Sequence, residues 1–159
     1  MRRSRSTAPL RTRIATGAGI LALAASLSGC GVVANEFSDG DYDETIPAEL
    51  AASGRGVTDS FAAKGLDGFT FYLEVGIDVD RETIDEDDLA AFLRIVLVGN
   101  DLPTDRIRMS VQNADGDFID LESIALQASP GLDLFGSSEN TLLLDSDDAR
   151  TIIEAVWGE

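Results

Sequence analysis

Carboxylates dominate the residues of this chain that could do chemistry. Asp78 and Asp80 stand two apart in FTFYLEVGIDVD, residues 69–80, where every odd position is apolar. A period of two puts both carboxylates on one face of a strand, about 7 Å apart. Two carboxylates so placed can hold a metal ion or divide acid and base work between them. The same spacing also suits two solvated charges on a half-exposed strand. Asn113-Ala114-Asp115-Gly116-Asp117 sets oxygen-bearing side chains at alternate positions, as a calcium loop does. Such a loop needs Gly at its sixth position and Glu at its twelfth. Counted from Asn113 those positions hold Phe118 and Ile124, so a hairpin turn is the better account. Asp85–Asp88 and Asp145, Asp147 and Asp148 are explained as helix starts, where the helix dipole favours negative charge.

The residue types that are missing narrow the chemistry further. The chain has no His, which removes Ser–His and Cys–His nucleophile pairs, His general bases and His metal ligands. Its one Cys, Cys30, allows neither an intramolecular disulfide nor a CxxC site. Lys64 is the single lysine. No segment has the pattern of a phosphate loop, a nucleophile elbow or a zinc site. These absences point to no catalytic constellation, no metal ligand set and no cofactor.

The charge is divided along the chain. Arg2, Arg3, Arg5, Arg11 and Arg13 precede Ile14, whereas all 29 acidic residues follow Cys30. From Cys30 onward 7 basic residues face 29 acidic ones, a balance of −22. A surface this negative is a poor match for nucleic acid, whose phosphates need Lys and Arg. Anionic head groups repel it as well.

Residues 1–13 form a basic stretch, and Ile14 to Leu27 an apolar one rich in Ala and Gly. That run suits a secretory signal and is short for a spanning helix, which needs about 20 apolar residues. It ends Leu27-Ser28-Gly29-Cys30, an aliphatic residue, two small residues and a cysteine. This resembles the lipobox of bacterial lipoproteins at all four positions. The resemblance implies that the Cys30 sulfur carries a diacylglyceryl group and that the chain is cut before Cys30. Two or more acyl chains give stable membrane attachment. Arg2-Arg3 raises twin-arginine export, but Ser4-Arg5-Ser6 lacks the hydrophobic pair of that signal. The expected organisation is a signal peptide over 1–29, an acidic flexible tether over 30–56, and one domain over 57–159.

The tether is read from composition. Glu36, Asp39, Asp41, Asp43, Glu44 and Glu49 occur with no basic residue until Arg55. Low hydrophobicity with charge of one sign argues for disorder. Pro47 to Ala52 fits one helical turn, with Pro at its first position.

The domain elements follow from periodicity. The 69–80 strand, preceded by the turn signal Leu66-Asp67-Gly68, predicts a hairpin with Val57 to Lys64. Thr83 to Glu86 has the form of a capping box, and Leu89, Phe92, Leu93, Val96 and Leu97 share one helical face. Arg106 to Gln112 alternates again, and Asp117–Asp120 is expected to return beside it as a second hairpin. Leu121 to Ala128 reads as a short helix and Thr141 to Leu144 as a short strand. Asp145 or Ser146 caps a last helix carrying Ala149, Ile152, Ile153, Val156 and Trp157 on one face. The expected class is α+β: a small antiparallel sheet of about four strands in two hairpins, with helices packed on one face.

Beyond the lipobox, the chain resembles small lipoproteins of actinobacteria. The shared features are the Ala/Gly-rich signal, the acidic tether and the helix start Thr83-Ile84-Asp85-Glu86-Asp87-Asp88-Leu89. That likeness implies a location rather than an activity: the outer face of the cell membrane, held by lipid on Cys30. The expected role is a non-enzymatic module that binds a protein or envelope component. The alternatives are a cation-binding acidic envelope protein and, after it, a carboxylate-based hydrolase.

Overall fold

The computed structural model describes residues 40–134 and 136–158. Cys30, the signal segment and the first part of the expected tether lie outside the described residues. The described elements run in the order α1 (Tyr42–Ala52), β1 (Val57–Asp67), β2 (Thr70–Val79), α2 (Glu86–Gly99), β3 (Arg106–Gln112), α3 (Leu121–Ala128), β4 (Leu142–Asp145) and α4 (Ser146–Trp157). No helix among the described residues is long and apolar enough to cross a membrane.

The α+β class and the four-stranded sheet with helices on one face are as expected, but the sheet is mixed. Its strand order is β1-β2-β3-β4. β1 and β2 form the expected antiparallel hairpin, with Asp67 paired to Thr70 across a turn at Gly68 and Phe69. Gly68 has φ of 61°, a backbone geometry that a Cβ would strain. β2 and β3 are parallel, joined through α2, and β3 and β4 are antiparallel. The expectation of a wholly antiparallel sheet with two hairpins is therefore corrected. A strand, a helix that runs back and a second strand beside the first must give parallel strands. The second hairpin reduces to one bridge between Gln112 and Phe118. Asp120 already serves as the N-cap of α3, its carboxylate accepting from the Ser123 N–H, so no length remains for a strand.

The domain boundary at 57 is also corrected. Residues 42–52 are helical, and Tyr42, Ile46 and Leu50 are buried in the core. Their spacing of four makes one apolar stripe within an acidic segment. Composition averages the stripe away, which is why the segment reads as tether. Pro47 lies inside the helix rather than at its start, where it removes one backbone hydrogen bond. Full burial of Ile46 and Leu50 contributes about 1.5–3 kcal/mol each.

The core lies between the helices and one sheet face. Leu73, Val75, Ile77 and Val79 of β2, Ile107, Met109 and Val111 of β3, and Leu142 and Leu144 of β4 point into it. Leu89, Phe92, Leu93 and Val96 of α2 meet them. The apolar period of β2 outlasts the core, since Phe71 is 42% exposed and Phe69 is fully exposed at the turn.

The elements run between two ends of the sheet. At one end are the β1–β2 turn and the loop after α2. At the other are the start of α2, the segment before β1 and the end of α4. There, Arg55 reaches Asp87 and Asp88, both at 2.8 Å, and Arg81 reaches Asp88 at 2.8 Å. Arg81 also donates to the Arg55 carbonyl at 2.9 Å. Trp157 Nε1 donates to Asp87 at 2.7 Å, and the Arg94 guanidinium lies 5.5 Å from the Trp157 ring centre. This ionic clasp ties α1, β1, α2 and α4 at one point. The capping box of α2 is Asp85 with Asp88, not Thr83 with Glu86.

Candidate functional site: the open face of the sheet

Alternation in the strands leaves the second sheet face without helices among the described residues. On it stand Asp59, Phe61, Ala63 and Gly65 of β1, and Tyr72, Glu74, Gly76 and Asp78 of β2. Arg108, Ser110 and Gln112 of β3 and Leu143 of β4 complete it. Of these, Gly76 alone is buried. Two glycines seat two aromatic rings. A Cβ on Gly76 would come within 2.1 Å of Phe61, and one on Gly65 within 2.1 Å of Tyr72. The missing side chains let both rings lie flat across the neighbouring strand, a known device for covering strand glycines. The Arg108 guanidinium stacks 4.3 Å from the Tyr72 ring centre, and its Nη1 donates to the Tyr72 hydroxyl at 3.0 Å. Phe61 remains 52% exposed.

The register gives the face two chemically different halves. Toward the clasp, Asp59 pairs with Asp78, which in turn pairs with Gln112. Like charges directly opposite across a ladder disfavour each other. A cationic group of a partner would relieve them. With Phe61, Gly76 and Ser110 these residues line a shallow hollow of about 350 Å³. Toward the hairpin turn the face carries Tyr72 and Arg108. A hollow of about 520 Å³ beside them is lined by Arg106, Arg108, Asp67, Asp133, Asp145 and Asp148. Burial and the nearby charges of Asp145, Asp147 and Asp133 push the Asp148 carboxyl up, against a backbone hydrogen bond that lowers it.

The residues singled out by sequence separate. Asp78 stands on the open face. Asp80 has left the strand and lies against Gly56, its N–H donating to the Gly56 carbonyl at 2.9 Å. Among the described residues no three carboxylates converge to hold a metal ion. The Asn113 loop is a turn: its Oδ1 accepts from the Asp115 and Asp117 N–H groups at 3.0 and 2.9 Å. Asp145 caps α4 through the Asp147 and Asp148 N–H groups. Trp157 belongs to the clasp, where its hydrogen bond, then that of Arg55, hold the Asp87 carboxyl below the usual range. Sequence reasoning missed the clasp. Its one signal was Arg55, the first basic residue after the acidic run. It also missed the seats of Phe61 and Tyr72, because a glycine in a strand does not announce the ring that crosses it.

Searches against protein-family models, curated proteins and solved structures find no match for this chain.

Proposed function

We propose that this chain is an exported protein held on the outer face of the cell membrane by lipid on Cys30. Its domain is a non-enzymatic interaction module that engages a protein or envelope component through the open sheet face. One observation carries the reading: a sheet with one face sealed by helices leaves its other face exposed, with a half-exposed Phe61 beside the like-charged pair Asp59 and Asp78. An exposed aromatic ring lining a shallow hollow is the kind of anchor on which binding energy concentrates. The partner chemistry it suits is a flat surface that brings a basic group to Asp59 and Asp78. The lipobox, Leu27-Ser28-Gly29-Cys30, supports the anchor.

Two measurements test the two halves. The intact mass of the membrane-extracted protein is expected to start at a diacylglyceryl-modified Cys30. A mass starting at Met1 with an unmodified thiol overturns the anchor. Saturable binding of the labelled protein to purified cell envelopes is expected to fail with Ser110→Trp, which fills the hollow without touching the core. Unchanged binding by that variant overturns the open face as the docking surface.

A further inference from the structure

The end of the sheet that carries the β1–β2 turn is also the end where the described chain begins. The Asp41 N–H donates to Asp101 at 2.8 Å, in the loop between α2 and β3. From that same loop Thr104 Oγ1 donates to the Phe71 carbonyl at 2.7 Å, in the hairpin. One short loop thus joins the start of the domain to the base of the turn. The turn carries three exposed apolar side chains around the exposed Asp67. Leu66 is 59% exposed, Phe71 is 42% exposed and Phe69 is fully exposed. All three lie outside the core, because β2 pairs with β3 only from Leu73 onward. The chain's single lysine, Lys64, stands over the Phe71 ring at 4.2 Å. Exposed apolar side chains gathered at one turn mark a candidate contact site.

We infer that the β1–β2 turn, Leu66, Phe69 and Phe71, is a membrane-contact tip that dips into the bilayer interface beside the lipid anchor. The inference rests on the proposed lipidation of Cys30, and the end at which the tether joins the domain selects the occupant. Only nine residues, ten Cα steps, separate Cys30 from Gly40. Whatever their conformation, they span at most about 36 Å. A lipid on Cys30 therefore attaches the domain to the bilayer through this end, where the Asp41 N–H is tied to Asp101. Tethering makes the contact effectively intramolecular, so a small apolar tip suffices where free protein would not bind. The tip is apolar rather than basic, so the target is the acyl boundary and not anionic head groups. With the tip down, the open sheet face remains clear of the lipid.

The test uses intrinsic fluorescence of the full protein in phosphatidylcholine vesicles whose acyl chains carry bromine, a contact quencher. Trp157 is the only native tryptophan and is bonded to the start of α2. The tip lies near the other end of that helix, about 20 Å away along its axis. The wild type is expected to show no quenching. Phe69→Trp, a change at a fully exposed turn position, is expected to add emission that is blue-shifted in plain vesicles and lost in brominated ones. Emission from that position that stays red and unquenched, in protein with lipid on Cys30, overturns the tip. The same result with position 69 shielded only in native envelopes also overturns it, in favour of a protein occupant. If the mass shows a free Cys30, the anchor reading fails. Coupling that sole thiol to a maleimide phospholipid then restores a tether, and the same quenching still decides the tip.

Discussion

Asp88 is the buried charged residue at the centre of the clasp. Asp88→Ala removes acceptors for Arg55 at 2.8 Å, Arg81 at 2.8 Å and the Asp85 N–H at 3.3 Å. Breaking one side of a fully buried ion pair costs about 3–5 kcal/mol. Here the two arginine side chains are 26% and 37% exposed, so water takes back part of their charge, and Arg55 keeps Asp87. The expected loss is therefore about 2–3 kcal/mol, of which the capping bond is the smaller part. For a domain of this size that lowers the midpoint by roughly 8–15 °C. The assay is thermal unfolding followed by far-UV circular dichroism, with urea titration to give the free energy directly. Asp87→Ala is the comparison, because Asp87 also touches Arg55 but is exposed. It is expected to lower the midpoint much less. If Asp88→Ala costs no more than Asp87→Ala, the clasp does not hold the end of the domain and the reasoning fails.

Leu50→Ala, at a fully buried position of α1, is expected to cost about 2–5 kcal/mol in urea unfolding, whereas an exposed tether residue would cost almost nothing. Two carboxylates give pH dependences of opposite sign. Asp148 has a folded pKa above its unfolded one, mainly through burial. The folded form then keeps a proton that the unfolded form releases, so stability falls as pH rises through the carboxylate range. Asp148→Asn removes that loss, and its midpoint relative to wild type is expected to rise from pH 3 to pH 7. Asp87 has a folded pKa below its unfolded one, first through Trp157 and then Arg55. Its contribution is present above the unfolded pKa and lost in acid, so Asp87→Asn is expected to fall relative to wild type over the same range. Gly76→Ala is expected to displace the Phe61 ring, read as a change in near-UV circular dichroism. It also weakens envelope binding while leaving the fold intact, since the ring's far end can move into solvent.

Local pattern carried much of the fold and little of its connectivity. The first hairpin, α2 and α4 were legible because alternation, helical spacing and the Asp145 cap agree within short windows. The direction of β3 was not, because alternation is the same for a parallel and an antiparallel neighbour. It needed the fact that α2 returns the chain to the end where β2 began. The helix 42–52 was hidden by composition, as six acidic residues around it masked Tyr42, Ile46 and Leu50. The site was less legible than the fold. Asp78 was singled out with Asp80, a neighbour in sequence, but its partner on the page of the sheet is Asp59, nineteen positions earlier. Long-range pairing of that kind depends on register, which one strand does not carry. Phe69 illustrates the converse. Its alternation with Phe71 and Leu73 marks it for the core, yet the turn comes first and leaves it outside.

Photocrosslinking in intact cells tests the docking claim most directly. A photoreactive residue at Ser110 or Glu74 probes the open face, and one at Val98, 81% exposed on α2, probes the helical side. The account predicts one discrete crosslinked product shared by Ser110 and Glu74 and absent from Val98. A product from Val98 with none from Ser110 or Glu74 would contradict it.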